Sequence, residues 1–96
     1  MESIIQTSKE CFLCEKNGSM DPLEEHHVFG GANRKHSEKY GLKVRLCGNS
    51  CHRNGPFSVH RNREVADRVK AIAQAKWEET YGTREEFLQI FGRNYL

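Results

Sequence analysis

The sequence predicts a small α+β domain, residues 1–96, whose fold is completed by bound metal. Three observations predict this class: two closely spaced cysteine pairs, a stretch of alternating apolar and basic residues, and a later stretch with apolar residues at helical spacing. Only 36% of the residues are hydrophobic, so burial of apolar surface leaves a thin margin of stability at this length. Four Cys and five His are candidate ligands, and we expect metal to supply the missing stability.

The strand patterns predict a hairpin inside a core at residues 11–60, after a frayed lead-in at 1–10. A first strand is expected over 23–29, where a Gly-Gly pair then breaks it. The alternation over 42–46 predicts a second strand with one apolar and one basic face. The hairpin would be closed by a long loop at 30–41.

The C-terminal part, residues 62–96, is predicted to be helical. Asn62 is a suitable N-cap for a long helix that Gly82 ends, and the residues between them show helical apolar spacing. A capping-box pattern at 83–86 begins a short second helix, which Gly92 stops. The predicted architecture is therefore a small module built around metal, with C-terminal helices.

The composition excludes a membrane protein. No apolar run approaches the roughly 20 residues that a membrane span needs, and residues 1–5 do not resemble a secretion signal. We therefore expect a soluble, cytoplasmic protein. Thiols stay reduced in that compartment, which favours metal ligation over disulfides.

The cysteines form two pairs, Cys11-x2-Cys14 and Cys47-x3-Cys51, separated by 32 residues. Paired cysteines at this spacing let a tight turn present both sulfurs to one tetrahedral zinc ion. The pattern favours one closed, structural zinc site. Free thiols or a disulfide are the alternatives.

Positive charge is concentrated in the middle of the chain. Segment 32–70 contains ten basic and three acidic residues, a net charge of +7. Such a block is typical of a polyanion partner, with nucleic acid as the leading candidate. A solvated surface without a partner is the alternative.

Four of the histidines, His26, His27, His52 and His60, surround the cysteine pairs. Adjacent side chains on a strand point to opposite faces, so His26 and His27 are expected to have different roles. His52 follows a cysteine ligand and is free for a second, open site. The fifth, His36, has no such neighbours and is expected at the surface.

A family resemblance rests on Cys-x2-Cys, on Glu-His-His-Val-Phe-Gly-Gly, and on Leu-Cys-x3-Cys-His followed by a further His, at 11–14, 25–31, 46–52 and 60. Through these motifs the chain resembles the zinc-bearing HNH endonucleases of the ββα-metal class, closest to a phage-type branch related to the recombination-enhancement nucleases. The likeness spans about residues 11–60. It implies metal-dependent hydrolysis of DNA phosphodiester bonds with low sequence specificity, in a protein encoded by a phage or prophage of a bacterial host.

The resemblance also implies roles for single residues. His27 matches the general base, which takes a proton from the attacking water. His26, His52 and His60 match ligands of a catalytic divalent ion, Mg²⁺, Mn²⁺, Ni²⁺ or Zn²⁺. Basic residues nearby would bind DNA phosphates: Arg34, Lys35, Lys43, Arg45, Arg53, Arg61 and Arg63. A phage packaging or recombination protein is the expected further partner.

The chain departs from the family where an Asn would orient the general base, since that neighbourhood contains Tyr40-Gly41-Leu42. Asn33 and Asn49 are the nearest substitutes, but neither is at the expected place, so either a backbone carbonyl orients His27 or activity is reduced. The Cys-x3-Cys spacing is a second departure. Two other functions remain open. One is a noncatalytic zinc module that binds nucleic acid or a protein, and the other is an assembly protein that uses helix 62–81 as an interface.

Overall fold

The chain combines a two-stranded sheet with three α-helices, and the computed structural model describes all residues, 1–96. In chain order the elements are β1 (Leu23–His27), a 3-10 turn (Gly31–Asn33), α1 (Arg34–Tyr40), β2 (Lys43–Cys47), a π-helical turn (Gly48–Arg53), α2 (Arg63–Thr80) and α3 (Arg84–Phe91). The predicted α+β class is confirmed. None of the helices has the length and apolar character needed to cross a bilayer.

The predicted hairpin is confirmed: β1 and β2 pair antiparallel, with His27 opposite Lys43. The alternation along β2 places Val44 and Leu46 in the core, at 2% and 0% exposure. Buried apolar side chains on one face are what hold a strand in this register. β1 ends at His27, two residues before its predicted end, although Val28 beyond it is also buried.

The predicted long loop at 30–41 is wrong, because this segment contains the 3-10 turn and α1. The Ser37 hydroxyl accepts a hydrogen bond from the Phe29 N–H (2.9 Å) and donates one to the Phe29 carbonyl (2.8 Å). Gly41 ends the helix in the left-handed region at φ 70°. Polar contacts and the packing of Tyr40 on α2 hold α1 in place. Because few apolar side chains of α1 are buried, its sequence lacks the apolar periodicity that would have predicted a helix.

The first ten residues are not a frayed lead-in. Residues 1–10 lie along the free edge of β2, where the Gln6 side-chain carbonyl accepts from the Arg45 N–H (2.7 Å). Ile4 donates its N–H to the Gly41 carbonyl (2.9 Å) and packs against the core together with Ile5. A two-stranded sheet leaves its outer edge unpaired, and this segment satisfies that edge through contacts distant in sequence.

The two C-terminal helices are confirmed together with their caps. The Asn62 side chain accepts from the Val65 N–H (3.1 Å) at the start of α2. Thr83 and Glu86 form both bonds of a capping box, and Gly92 ends α3 at φ 84°. Capping therefore indicated the helix starts from sequence alone.

An aromatic cluster joins these helices to the end of β1 and to α1. Phe87 and Phe91 of α3 stack at 4.4 Å between ring centroids, and the Phe29 ring lies 4.8 Å from Phe91. Trp77 of α2 is 2% exposed and lies 5.6 Å from Phe87. This aromatic cluster forms much of the apolar core, and the hairpin that carries the candidate ligands packs against it.

Two candidate metal centres

The four cysteines converge on one point. Cys11 and Cys14 lie in the turn before β1, Cys47 ends β2, and Cys51 lies in the π-helical turn. Their sulfur atoms all lie within 4.8 Å of one another, and Cys14 Sγ is 3.5 Å from Cys47 Sγ. Zn–S bonds of about 2.3 Å in a tetrahedron place sulfurs about 3.8 Å apart. The cluster therefore fits a structural metal such as zinc.

The electrostatics of the cysteine cluster also suit a cation. Two opposing effects act on the pKa of Cys11. Burial raises it, but the backbone N–H groups of Cys14 and Cys47, each 3.4 Å from the Cys11 sulfur, outweigh burial and bring the pKa down to about 7. Burial, together with the neighbouring thiols, raises the pKa of Cys47 and of Cys51. The Cys11 thiolate is stabilised by the backbone, whereas the thiolates of Cys47 and Cys51 require positive charge at the centre of the cluster.

The π-helical turn that presents Cys51 is held from two sides. The Asp21 carboxylate accepts from the N–H groups of Asn49 (3.0 Å) and Ser50 (2.9 Å), and these two bonds lower the Asp21 pKa. On the other side, a Cβ at Gly55 would collide with the Ser50 carbonyl, so this position requires glycine. The turn is thereby fixed. Cys51 joins the four-cysteine cluster, and the next residue, His52, is free for another role.

Three histidines form a second cluster, contributed by three places in the chain. His26 lies on β1, His52 in the π-helical turn and His60 in the segment before α2. Their ring centroids are 4.6 to 6.1 Å apart. One ring nitrogen from each lies within 4.8 Å of the other two. His26 and His52 are half-buried and His60 is exposed, so the cluster opens to solvent on the side of His60.

The Glu24 carboxylate bridges His52 and Arg53. Its Nδ1 lies 2.9 Å from Glu24 Oε1, while Arg53 pairs with the other oxygen of Glu24 at 2.8 Å. A carboxylate on one ring nitrogen holds the ring and leaves Nε2 as the available ligand atom. Gly48 makes room for this carboxylate, because a Cβ there would lie 2.8 Å from Glu24 Cδ.

Sequence reasoning missed Glu24, although it stands two residues before His26 and therefore on the same face of β1. That spacing is the signal which could have identified it. Burial lowers the pKa of His26 to about 4, with the charges of His52 and His60 acting in the same direction. Burial also lowers the pKa of His60. These two imidazoles are therefore neutral at pH 7, the form that binds metal.

His27 does not join this cluster. It lies in a separate group with Glu25 and Glu38, and its Nε2 is 2.8 Å from Glu38 Oε2. The His27 contact lowers the pKa of Glu38 to about 2, assisted by the amino group of Met1 and by Lys43. His26 and His27 thus have different surroundings, as their alternation along a strand requires.

The substitutes considered for the family Asn do not contact His27. Asn33 donates to the Phe91 carbonyl (3.0 Å), and Asn49 accepts from the Asn54 side chain (2.8 Å). The side chain that contacts His27 is Glu38, which was missed because the helix that carries it was predicted to be a loop. His36 lies against the Phe91 ring at 5.6 Å and belongs to neither cluster.

The basic residues that were expected to bind phosphate differ in how exposed they are. Lys43, expected to bind phosphate, is instead 8% exposed and pairs with Glu38 (3.2 Å) and Glu25 (3.5 Å). Arg45 donates to the Ser8 carbonyl (2.9 Å). The remaining five are exposed: Arg34 and Lys35 on α1, Arg53 in the π-helical turn, and Arg61 and Arg63 around the start of α2.

These observations define a small α+β protein with a four-cysteine cluster suited to a structural metal. Comparison of the chain with protein-family models, with curated proteins and with solved structures found no match.

Proposed function

We propose that the protein is a metal-dependent endonuclease of the HNH type, which hydrolyses DNA phosphodiester bonds. The observation that carries this proposal is the open cluster of His26, His52 and His60 beside a closed cluster of four cysteines. Closed four-ligand sites are structural, whereas sites with three protein ligands keep positions for water and substrate. A divalent ion held there would neutralise charge that develops on the phosphate and on the leaving oxygen.

The donor set of the open cluster fits such an ion. Three imidazoles suit Zn²⁺, Ni²⁺ or Mn²⁺, and Mg²⁺ when water completes the coordination shell. Glu24 fixes the ring of His52 from behind, as carboxylates do at many metal sites. His60 lies at the exposed edge, which leaves access for a phosphate group.

His27 is the proposed general base. When its Nε2–H donates to Glu38, the lone pair of Nδ1 is free to take a proton from water. His27 is the last residue of β1 and His26 precedes it, so both border the end of that strand. The proposal places the scissile phosphate at this strand end, with Arg34 and Lys35 of α1 close in the chain for phosphate contacts.

One observation favours a second candidate, a noncatalytic zinc module that binds nucleic acid or a protein. His27 belongs to a different side-chain group from the three clustered histidines. In this case the three histidines would bind an ion without performing hydrolysis. The two candidates differ in whether added divalent metal produces nicks in DNA.

The test is plasmid nicking by the purified chain with Mg²⁺, Mn²⁺, Ni²⁺ or Zn²⁺. The His27→Gln variant is expected to lower the nicking rate about 100- to 10,000-fold, the usual contribution of a general base, with folding and DNA binding unchanged. His36→Gln is the matched control, because His36 is outside both clusters. Unchanged nicking by His27→Gln would remove His27 from the mechanism, and no nicking with any of the four ions would favour the noncatalytic module.

A further inference from the structure

Phe57 is the most solvent-exposed aromatic side chain of the protein, at 71% exposure. The other four Phe residues are buried or half-buried. Single exposed apolar side chains are common on protein surfaces, so the significance of Phe57 depends on what lies around it.

The backbone around Phe57 is tied down, so the ring is held outward. The Ser58 N–H donates to the Gly55 carbonyl (3.0 Å), and the Asn62 side chain donates to the Pro56 carbonyl (3.3 Å). Ser58 and Val59, which follow Phe57, are buried at 0% and 7% exposure. These anchors on both sides fix which way the chain faces at Phe57.

The same segment borders the three-histidine cluster. The Val59 N–H donates to the Cys51 carbonyl (2.9 Å), and the His60 N–H donates to the His52 carbonyl (3.2 Å). Phe57 therefore stands three residues before a member of that cluster, on a segment bonded to the turn that carries another. Phe57 and His60 are both exposed, and three residues of chain span at most about 10 Å.

The segment that carries Phe57 is basic. Residues 48–63 contain three Arg and no acidic residue. Arg61 and Arg63 are exposed, and Arg53, which pairs with Glu24 (2.8 Å), is 54% exposed. A protein partner would need a contiguous apolar surface here, whereas an aromatic ring among arginines is the combination that binds single-stranded nucleic acid, by stacking and by phosphate contacts.

We propose that Phe57 stacks on an unpaired base of a DNA strand whose backbone crosses the three-histidine cluster. The preferred ligand is then DNA that is single-stranded or locally unpaired at the contact, rather than intact duplex. The inference rests on the proposed function, in that DNA is taken as the ligand of this face. Phe57 selects the form of DNA and has no part in the bond cleavage.

The experiment measures binding of the full, zinc-loaded chain to fluorescent oligo(dT) and to a duplex of equal length, by anisotropy, without added divalent ions. Phe57→Ala is expected to weaken oligo(dT) binding about 5- to 100-fold, the range for loss of one stacked base, with a much smaller effect on duplex. Phe57→Trp should retain binding and its fluorescence should be quenched by the bases. Phe57→Leu, apolar but not aromatic, should behave as Phe57→Ala does.

Met20→Ala is the matched control, since Met20 is an exposed apolar residue, 93% exposed, outside the basic segment. Equal loss on duplex and oligo(dT) in Phe57→Ala would overturn the inference, as would full binding by Phe57→Leu. A native chain that never nicks DNA but shows the Phe57 effect would overturn the endonuclease alone. A chain that nicks DNA without any Phe57 effect would overturn the stacking role alone.

Discussion

The four-cysteine and three-histidine clusters are built from the same elements but have opposite character. The π-helical turn supplies one ligand to each through the neighbouring residues Cys51 and His52. Three of the four cysteines are buried and only Cys14 is exposed, whereas none of the three histidines is buried and His60 is exposed. A closed set of thiols suits a structural ion, and an open set of imidazoles suits an ion that meets substrate.

The contrast between the two clusters shows how one turn can serve both a stabilising site and an open site. Consecutive residues in a rigid turn point in different directions, so a single fixed turn can position ligands for two clusters. Asp21, which caps that turn, therefore supports both. Damage to the cysteine cluster is expected to destroy both sites, while damage to the histidine cluster should leave the fold intact.

The largest expected effect is that of removing the structural metal. Cys47→Ser, or treatment with a strong chelator, should unfold the chain, because structural zinc commonly contributes about 10 kcal/mol or more to folding. Circular dichroism and zinc content measure this. Leu13→Ala is the control, since Leu13 lies between two cysteines but is 37% exposed. A metal-free chain that still unfolds cooperatively on heating would contradict the role given to the cysteine cluster.

The next effect separates the two clusters. His52→Ala should reduce bound metal from two ions to one per chain and abolish nicking, because one of three imidazole ligands is gone. Its thermal unfolding should stay cooperative. Metal counting after equilibration with Zn²⁺ or Ni²⁺ provides the measurement, with His36→Ala as the variant that should retain both ions. Two ions bound by His52→Ala would show that the histidines do not form a metal site.

A smaller effect is expected from changing Glu24, which contacts the proposed metal ligand His52. Glu24→Gln should weaken metal binding at the histidine cluster about 10- to 100-fold, as loss of such supporting carboxylates commonly does. Glu25→Gln changes the adjacent carboxylate, which lies with His27 instead. Titration calorimetry with Ni²⁺ on protein that carries one zinc ion per chain compares the two. Equal affinities in Glu24→Gln and Glu25→Gln would argue against the supporting role.

The smallest effect concerns how the stability of the fold depends on pH through Glu38, the partner of His27. Hydrogen bonds from His27, the Met1 amino group and Lys43 lower the pKa of Glu38 to about 2 from 4.5. A lowered carboxyl pKa stabilises the folded state at pH above 4.5, and this contribution is lost as the pH falls towards 2.

The melting temperatures of the native chain and of Glu38→Gln should therefore differ most above about pH 5 and converge at lower pH. Both chains lose zinc as protons compete for the thiolates, so only the difference between them reports on Glu38. A difference that grows on acidification would contradict this assignment.

The local elements were largely predictable from sequence. Alternation revealed β2, and the Asn62 cap and the Thr83 capping box marked both C-terminal helices. α1 was missed because its anchor is Ser37, whose hydroxyl bonds to Phe29 across the fold. The ordered start of the chain was missed because its bonds satisfy the edge of β2, a requirement that appears only once the sheet exists.

The site was predictable in its ligands but not in its supporting residues. Cys and His spacing pointed to the residues of both clusters, because metal binding restricts the residue types that can serve. Glu24 and Glu38 escaped notice because a carboxylate on a charged surface carries no sequence signal of its partner. Lys43 was assigned to phosphate binding since its position on the polar face of β2 does not reveal the two carboxylates that enclose it.

The sequence by itself determined the α+β class, the two C-terminal helices and the identity of the candidate ligands, since these depend on local periodicity, capping and residue chemistry. Only the tertiary structure decided that His26 joins His52 and His60 while His27 pairs with Glu38. The physical reason is that strand alternation separates neighbouring side chains, and the partners on each face come from distant segments whose approach is set by packing.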